Sequence, residues 1–231
     1  MKKLSDKWAL VTGSTRGIGQ QIALGLAAEG CNLFIHGREK SHAAKTLELI
    51  KSYNVKSIVV AGKLGIEADE ENIIKKVIEE VGYIDILYNN AALGGKWHDS
   101  CFDIAIDEWI ELFRVNLFAM VRFCNAFIPI MVRRKWGRVI NLSSGIADTP
   151  QLAHYGVTKS AVNRFTRELA FELKGTNVVV NALDPGWVKT DLGGDRAPNK
   201  LDTVIPGAII PALLDNNGER GKVFKAQEYK R

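Results

Sequence analysis

The stretch that decides the fold reads Trp8-Ala9-Leu10-Val11-Thr12-Gly13-Ser14-Thr15-Arg16-Gly17-Ile18-Gly19. A short β-rich apolar run stops at a glycine-rich turn. Beyond the turn, Ile18, Ile22 and Leu26, with Ala23 and Ala27 beside them, recur at helical spacing until Gly30 closes the helix. The pattern predicts a strand that turns tightly into a helix. Glycines permit the turn, and the free N–H groups of the helix N-terminus can face an anion such as a pyrophosphate. Taken alone, such a turn is also an ordinary strand-to-helix connection, so the rest of the chain has to decide.

Outward from it, similar apolar runs recur at Asn32 to His36, Lys56 to Ala61, Ile84 to Asn89, Arg138 to Leu142 and Val178 to Leu183, with helix-period stretches between them. The runs are continuous rather than alternating, as strands are when both faces of a parallel sheet are covered, so the class is doubly wound α/β. Asn216, Asn217 and Gly218 form a turn into a last short strand, Lys222 to Ala226. The 231 residues fit one large domain spanning 1–231, without repeats or a linker. The irregular stretch after the sixth strand, about 191–211, with Pro198, Pro206 and Pro211, lies where open α/β sheets bind ligands and is the candidate substrate loop.

Composition narrows the partners. With 46% hydrophobic and 25% charged residues the chain reads as a soluble globular domain, not a disordered or collagen-like one. The net charge of +5 is scattered, and its densest stretch, Arg133 to Lys135, runs into apolar sequence. A nucleic-acid partner is therefore not expected, whereas a phosphate-bearing small molecule needs only two or three such charges. Cys31, Cys101 and Cys124 lack disulfide or zinc spacing. The first apolar run is too short for a signal peptide, and Arg114, Asn116 and Arg122 interrupt the best membrane candidate. Asn141-Leu142-Ser143 falls in an expected buried strand, so its glycosylation pattern is read as chance. A cytoplasmic location without a membrane partner is the expectation.

Tyr155 and Lys159 stand four apart on an expected helix, which brings their side chains together. An ammonium beside a phenol favours the phenolate, so the pair is expected to lower the tyrosine pKa. Such pairs also occur by chance on solvated helix faces. Here they follow Asn89-Asn90-Ala91-Ala92 after strand four, Asn116 in a long helix and Ser143-Ser144 after strand five, and precede Pro185-Gly186-Trp187-Val188-Lys189-Thr190 after strand six.

With these motifs in order, the chain resembles the short-chain dehydrogenase/reductase family over essentially its whole length, and within it the compact, NADP(H)-type, carbonyl reductase-like members. The resemblance implies a single Rossmann-type doubly wound parallel sheet of about seven strands in the order 3-2-1-4-5-6-7, and hydride transfer between a nicotinamide cofactor and a small carbonyl or secondary alcohol. By that resemblance Tyr155 is the general acid, Ser144 orients the carbonyl oxygen, Lys159 tunes Tyr155 and holds the nicotinamide ribose, and Asn116 organises a water relay to Lys159. Gly13, Ser14, Thr15, Arg16, Gly17, Ile18, Gly19, Arg38, Asn89, Ala91, Pro185, Gly186, Val188 and Thr190, with Tyr155 and Lys159, would bind the cofactor.

Three positions depart from the family pattern. Ala92 replaces a glycine, Lys63 stands at a strand-three position that is often Asp, and the step from Ser144 to Tyr155 is short, which leaves Ser143 as an alternative. Strand two ends His36-Gly37-Arg38-Glu39, so the usual acidic partner of a ribose 2′-hydroxyl is Gly37. Glu39 is the rival, two residues later. Arg38 and Arg16 are expected to converge on a 2′-phosphate, which favours NADP(H) while NAD(H) remains possible.

His154 adjoins Tyr155, but adjacent helical residues point apart, and His36, His42 and His98 share no metal-ligand spacing, so no metal is expected. Leu93, Trp97, Ile146, Leu152 and Trp187 suggest an apolar substrate pocket. Two long helices, about 107–134 and 152–174, carry Phe118, Phe123, Phe127, Phe165 and Phe171 beyond one stripe and imply a homodimer or homotetramer. The rival class is a dinucleotide-binding sensor without turnover, which loss of Tyr155 or Lys159 would have marked. A dehydratase or epimerase on the same fold fits the loop spacing and length less well.

Overall fold

The first strand, β1 (Trp8–Val11), is buried along its whole length and pairs in parallel with β2 (Asn32–Gly37) on one side and β4 (Ile86–Asn89) on the other. The computed structural model describes residues 2–229. With β3 (Ser57–Ala61), β5 (Gly137–Leu142), β6 (Val178–Asp184) and β7 (Val223–Lys225), the strands form one seven-stranded parallel sheet in the order β3-β2-β1-β4-β5-β6-β7. This is the order the resemblance implied.

Neighbouring residues of a strand point to opposite faces, and here both faces are apolar because both are covered. On one face Val11, Ile35, Tyr88 and Ile140 pack beneath helices α1 (Gly17–Ala28) and α2 (Ala44–Ile50). On the other, Leu10, Phe34, Leu87 and Val139 pack beneath α3 (Glu67–Val81) and the two long helices that follow. Strand β4 starts two residues later than its apolar run suggests. Asp85 stands in that run, and its carboxylate takes the Trp8 N–H at 2.9 Å and pairs with Lys7, so it caps the strand end.

The first long helix comprises α4 (Ile106–Phe113), a π-helical turn (Arg114–Phe118) and α5 (Ala119–Arg133). Its length and hydropathy would suffice to cross a membrane, but Phe123 and Phe127 lie wholly buried against the sheet. Those two phenylalanines, expected on an oligomer face, belong to the core. Phe165 packs half-buried on the same cluster from α6 (Ala153–Glu172), and only Phe118 and Phe171 remain exposed.

The irregular stretch after β6 divides in two. Asp191, Leu192 and Leu201 border the cleft at the carboxyl ends of the strands. Val204, Ala208 and Ile209, leading into α7 (Ile210–Leu213), instead pack into the core beside α1, with the Tyr88 hydroxyl donating to Ala208 O at 2.9 Å. The segment facing a ligand is thus the first half of the expected loop.

Candidate active site

The glycine turn is built by near contacts rather than by its own hydrogen bonds. Gly13 and Gly17 adopt positive φ, +66° and +57°, a region costly for a residue with a Cβ. A Cβ on Gly19 would fall inside van der Waals contact with Gly13 O, so α1 could not lie this close to the turn. Three outside groups hold the loop. Thr12 Oγ1 accepts the N–H groups of Asn90 and Ala91, at 2.9 and 3.0 Å, and the Asn90 amide donates to Thr12 O at 2.8 Å. His36 Nδ1 accepts the Gly13 N–H at 2.9 Å, while its Nε2 donates to Gly62 O at 3.1 Å. This arrangement needs the neutral ring, and burial lowers the His36 pKa to about 4.

The first turn of α1 is not capped by the Arg16 side chain, so its orphan N–H groups face the cleft. That cleft, about 1250 Å³, is bordered by Gly13, Thr15, Arg16, Gly17, Ile18 and Gly19 and, across from them, by Ala91 and Thr190. A glycine cradle that a Cβ would fill, uncapped helix N–H groups and a deep cleft together fit a dinucleotide pyrophosphate. Seven expected contacts, Ser14, Asn89, Pro185, Gly186, Val188, Tyr155 and Lys159, do not border that cleft. Ser14 is fully buried, its hydroxyl accepting the His36 N–H at 2.9 Å, so it bolts the loop to β2. Asn89 points into the sheet and donates to Asn141 Oδ1 at 2.8 Å, leaving its neighbour Asn90 at the cleft. Pro185 and Val188 are buried, and Gly186 leaves room for Gln227, whose amide donates to Pro185 O at 2.9 Å.

Beyond β2 the cleft is cationic. Arg38, Lys63 and Arg16 border it. Gly37 carries no acid, and a Cβ there would meet Thr15 Cγ2 at 2.6 Å and oblige that side chain to shift. Lys63 lies past the end of β3 rather than in it. Arg16 is drawn to Asp191 at 2.8 Å, so it bridges the glycine turn to the segment after β6 instead of converging freely with Arg38.

At the ends of β5 and β6, Ser144, Tyr155, Lys159 and Asp184 meet. The Ser144 hydroxyl is placed to hydrogen-bond the Tyr155 phenolate, whereas Ser143 is buried behind it with its hydroxyl unpartnered. Lys159 is almost fully buried, donates to Leu142 O at 2.8 Å and lies 5.6 Å from the centre of the Tyr155 ring. Burial lowers its own pKa to about 8. The expected depression of the Tyr155 pKa is not found. Burial raises it, Ser144 offsets part of the rise, and the Asp184 charge adds to it. The lysine ammonium is turned to the Leu142 carbonyl, and burial sets the direction of the tyrosine's shift.

The π-turn carries Asn116, whose amide accepts the Leu93 N–H at 2.8 Å and donates to Leu93 O and Thr158 Oγ1 at 2.9 and 3.1 Å. Its side chain therefore ties the segment after β4 to α6. His36, Thr158 and Asp184 were missed as site residues, because each acts through a partner distant in sequence. Trp97 and Trp187 are exposed, and Trp187 Nε1 donates to Gly193 O at 2.7 Å.

Comparison with known proteins follows the same lines. A family model described as short chain dehydrogenase matches residues 7–201. An uncharacterized oxidoreductase of Bacillus subtilis is 36% identical over 206 residues, covering 88% of this chain and 75% of that protein. A 3-oxoacyl-[acyl-carrier-protein] reductase of Aquifex aeolicus is 37% identical over 194 residues, 82% of this chain and 77% of its own. The crystal structure of a 3-oxoacyl (acyl-carrier-protein) reductase from Agrobacterium tumefaciens with NADP bound matches with a TM-score of 0.87 at 26% identity, covering 96% of this chain and 93% of that one.

Proposed function

The chain belongs to the short-chain dehydrogenase/reductase family of NAD(P)-dependent oxidoreductases, and from that premise we propose that it reduces a carbonyl to a secondary alcohol with NADP(H) as the preferred cofactor. The observation that carries this reading is the half-buried Tyr155 phenol with Ser144 beside it and Lys159 one helical turn away. A bound nicotinamide dinucleotide supplies the hydride. Everything else is work for the chain.

Burial and Asp184 hold the Tyr155 pKa above its ordinary value, so the phenol keeps its proton at neutral pH. A proton held at Tyr155 Oη suits the general acid of a reduction, which must deliver it to the oxygen as the carbonyl carbon is reduced. The Ser144 hydroxyl steadies the same oxygen. Lys159, mostly protonated at neutral pH, supplies positive charge beneath the site and a donor for a ribose hydroxyl. Asn116 keeps Leu93, and with it one wall of the pocket, fixed to α6. The exposed Trp97 and Trp187 favour an apolar ketone.

Cofactor choice rests on charge. An acid to accept a 2′-hydroxyl is missing at Gly37, while Arg38 and Lys63 border the cleft as donors for a 2′-phosphate. Exposed Phe118, Phe171 and Ile106 on the long helices favour a homodimer. Buried thiols at Cys31 and Cys124, both with raised pKa, suit a reducing, cytoplasmic setting. The test is oxidation of NADPH followed at 340 nm over a panel of aliphatic, aromatic and 3-oxoacyl thioester carbonyls. Turnover, faster with NADPH than with NADH, is expected. Tight nucleotide binding without turnover on any of them would overturn the enzyme reading in favour of a sensor.

A further inference from the structure

Beside the active site, where the start of α6 packs on α4, three ligand-type side chains meet that the proposed reaction does not use. His98 comes from the segment after β4, Glu108 from the first turn of α4, and His154 from the first turn of α6. Their donor atoms all lie within 4.8 Å of one another, and His98 Nε2 stands 3.1 Å from Glu108 Oε2.

His154 is the unusual member. It is wholly buried, yet neither ring nitrogen has a hydrogen-bond partner. A buried polar group left unpaired is costly, so an imidazole with two such atoms calls for a ligand. Trp109 and His98 pack around its ring, and Gly95, at positive φ, lets the backbone pass flush against Nε2, where a side chain would collide. The ring is thus held in one place, close to a carboxylate and a second imidazole.

We propose that His98, Glu108 and His154 form a binding site for a divalent transition metal of the zinc class. Two imidazoles and one carboxylate are a donor set zinc takes, with bonds of about 2.0–2.2 Å, which sets ligand atoms roughly 3.3 Å apart around a tetrahedron. The His98–Glu108 separation already matches that edge, and a shift of up to about 1.5 Å by these two partly exposed side chains toward the fixed His154 ring closes the set. The metal would clamp the segment carrying Trp97 and the start of α4 onto the turn that carries Tyr155. It would sit behind Tyr155 and act by positioning.

The experiment uses the full chain, stripped with a chelator and then titrated with Zn²⁺ against a chromogenic chelator, and separately with Co²⁺ while visible absorption is recorded. One ion per chain is expected, with the intense visible band of tetrahedral cobalt and a raised unfolding temperature with Zn²⁺. His98→Ala and Glu108→Gln should each weaken Zn²⁺ at least about 10-fold, the least that even an outer partner of a metal ligand is worth. Both sites are partly exposed, and circular dichroism checks that the variants fold. Zn²⁺ binding that stays as tight in both variants, an octahedral cobalt spectrum, or no saturable binding to the unmodified chain would each overturn the proposal.

Discussion

His36 offers the most direct test of how the glycine turn is held. Its ring is 2% exposed and is read by two backbone groups, Gly13 N–H giving to Nδ1 and Nε2 giving to Gly62 O. Protonation would place a second N–H against the Gly13 N–H, so the folded state holds the pKa at about 4 against an ordinary 6.5, chiefly through burial. Because the folded value is the lower one, the contribution to stability is complete above pH 6.5 and is lost as pH falls from 6.5 to about 4. Proton linkage across that window amounts to about 3 kcal/mol, of which about 2 kcal/mol is gone by pH 5. The perturbation is His36→Leu, which removes the titration and leaves Gly13 N–H and Gly62 O without this partner. At pH 7.5 the variant should be less stable by a few kcal/mol, the sum of about 1–3 kcal/mol for each unsatisfied group. The assay is urea unfolding followed by tryptophan fluorescence, for which Trp8, packed on Phe34 in the core, is a reporter. The gap between the two proteins should narrow by about 2 kcal/mol between pH 7.5 and pH 5, since only the unmodified protein loses the His36 contribution. Parallel pH curves for the two proteins would refute the reasoning.

Three further outcomes are expected. Tyr155→Phe keeps the ring but removes the proton, so turnover should fall at least about 100-fold with nucleotide affinity, read by fluorescence titration, nearly unchanged; retention of a tenth of the activity would reject Tyr155 as the acid. Arg38→Ala should weaken NADPH by roughly 10 to 100-fold, the worth of one charge-assisted bond, and leave NADH almost untouched. Arg16→Ala should cost less, because Arg16 is shared with Asp191; equal losses for both cofactors in Arg38→Ala would count against the 2′-phosphate reading. Light scattering at micromolar concentration should give a dimer for the unmodified chain and a monomer for Phe118→Glu, whose exposed ring stands in the turn between α4 and α5; a monomeric unmodified chain would remove the dimer proposal.

The resemblance carried by the motifs implied the strand order, while the sequence by itself determined that there is a parallel sheet and where its cleft lies. Those rest on short-range regularities: apolar runs too continuous for a one-sided sheet, helical repeats such as Ile18, Ile22 and Leu26, and glycines where Gly13 and Gly17 need positive φ. Motif spacing likewise marked Ser144, Tyr155 and Lys159. Tertiary structure decided the choices between neighbours and between charges. Ser14 is buried while Thr15 lines the cleft, because the turn aims the first at β2 and the second outward, and Asn89 turns into the sheet while Asn90 staples the glycine turn, because adjacent side chains at a strand end face opposite ways. The Tyr155 pKa rises rather than falls, because burial outweighs a lysine turned toward Leu142 O. His98, Glu108 and His154 share no spacing that a motif could register. Three separate elements bring them to one point, and that proximity is a property of the packing.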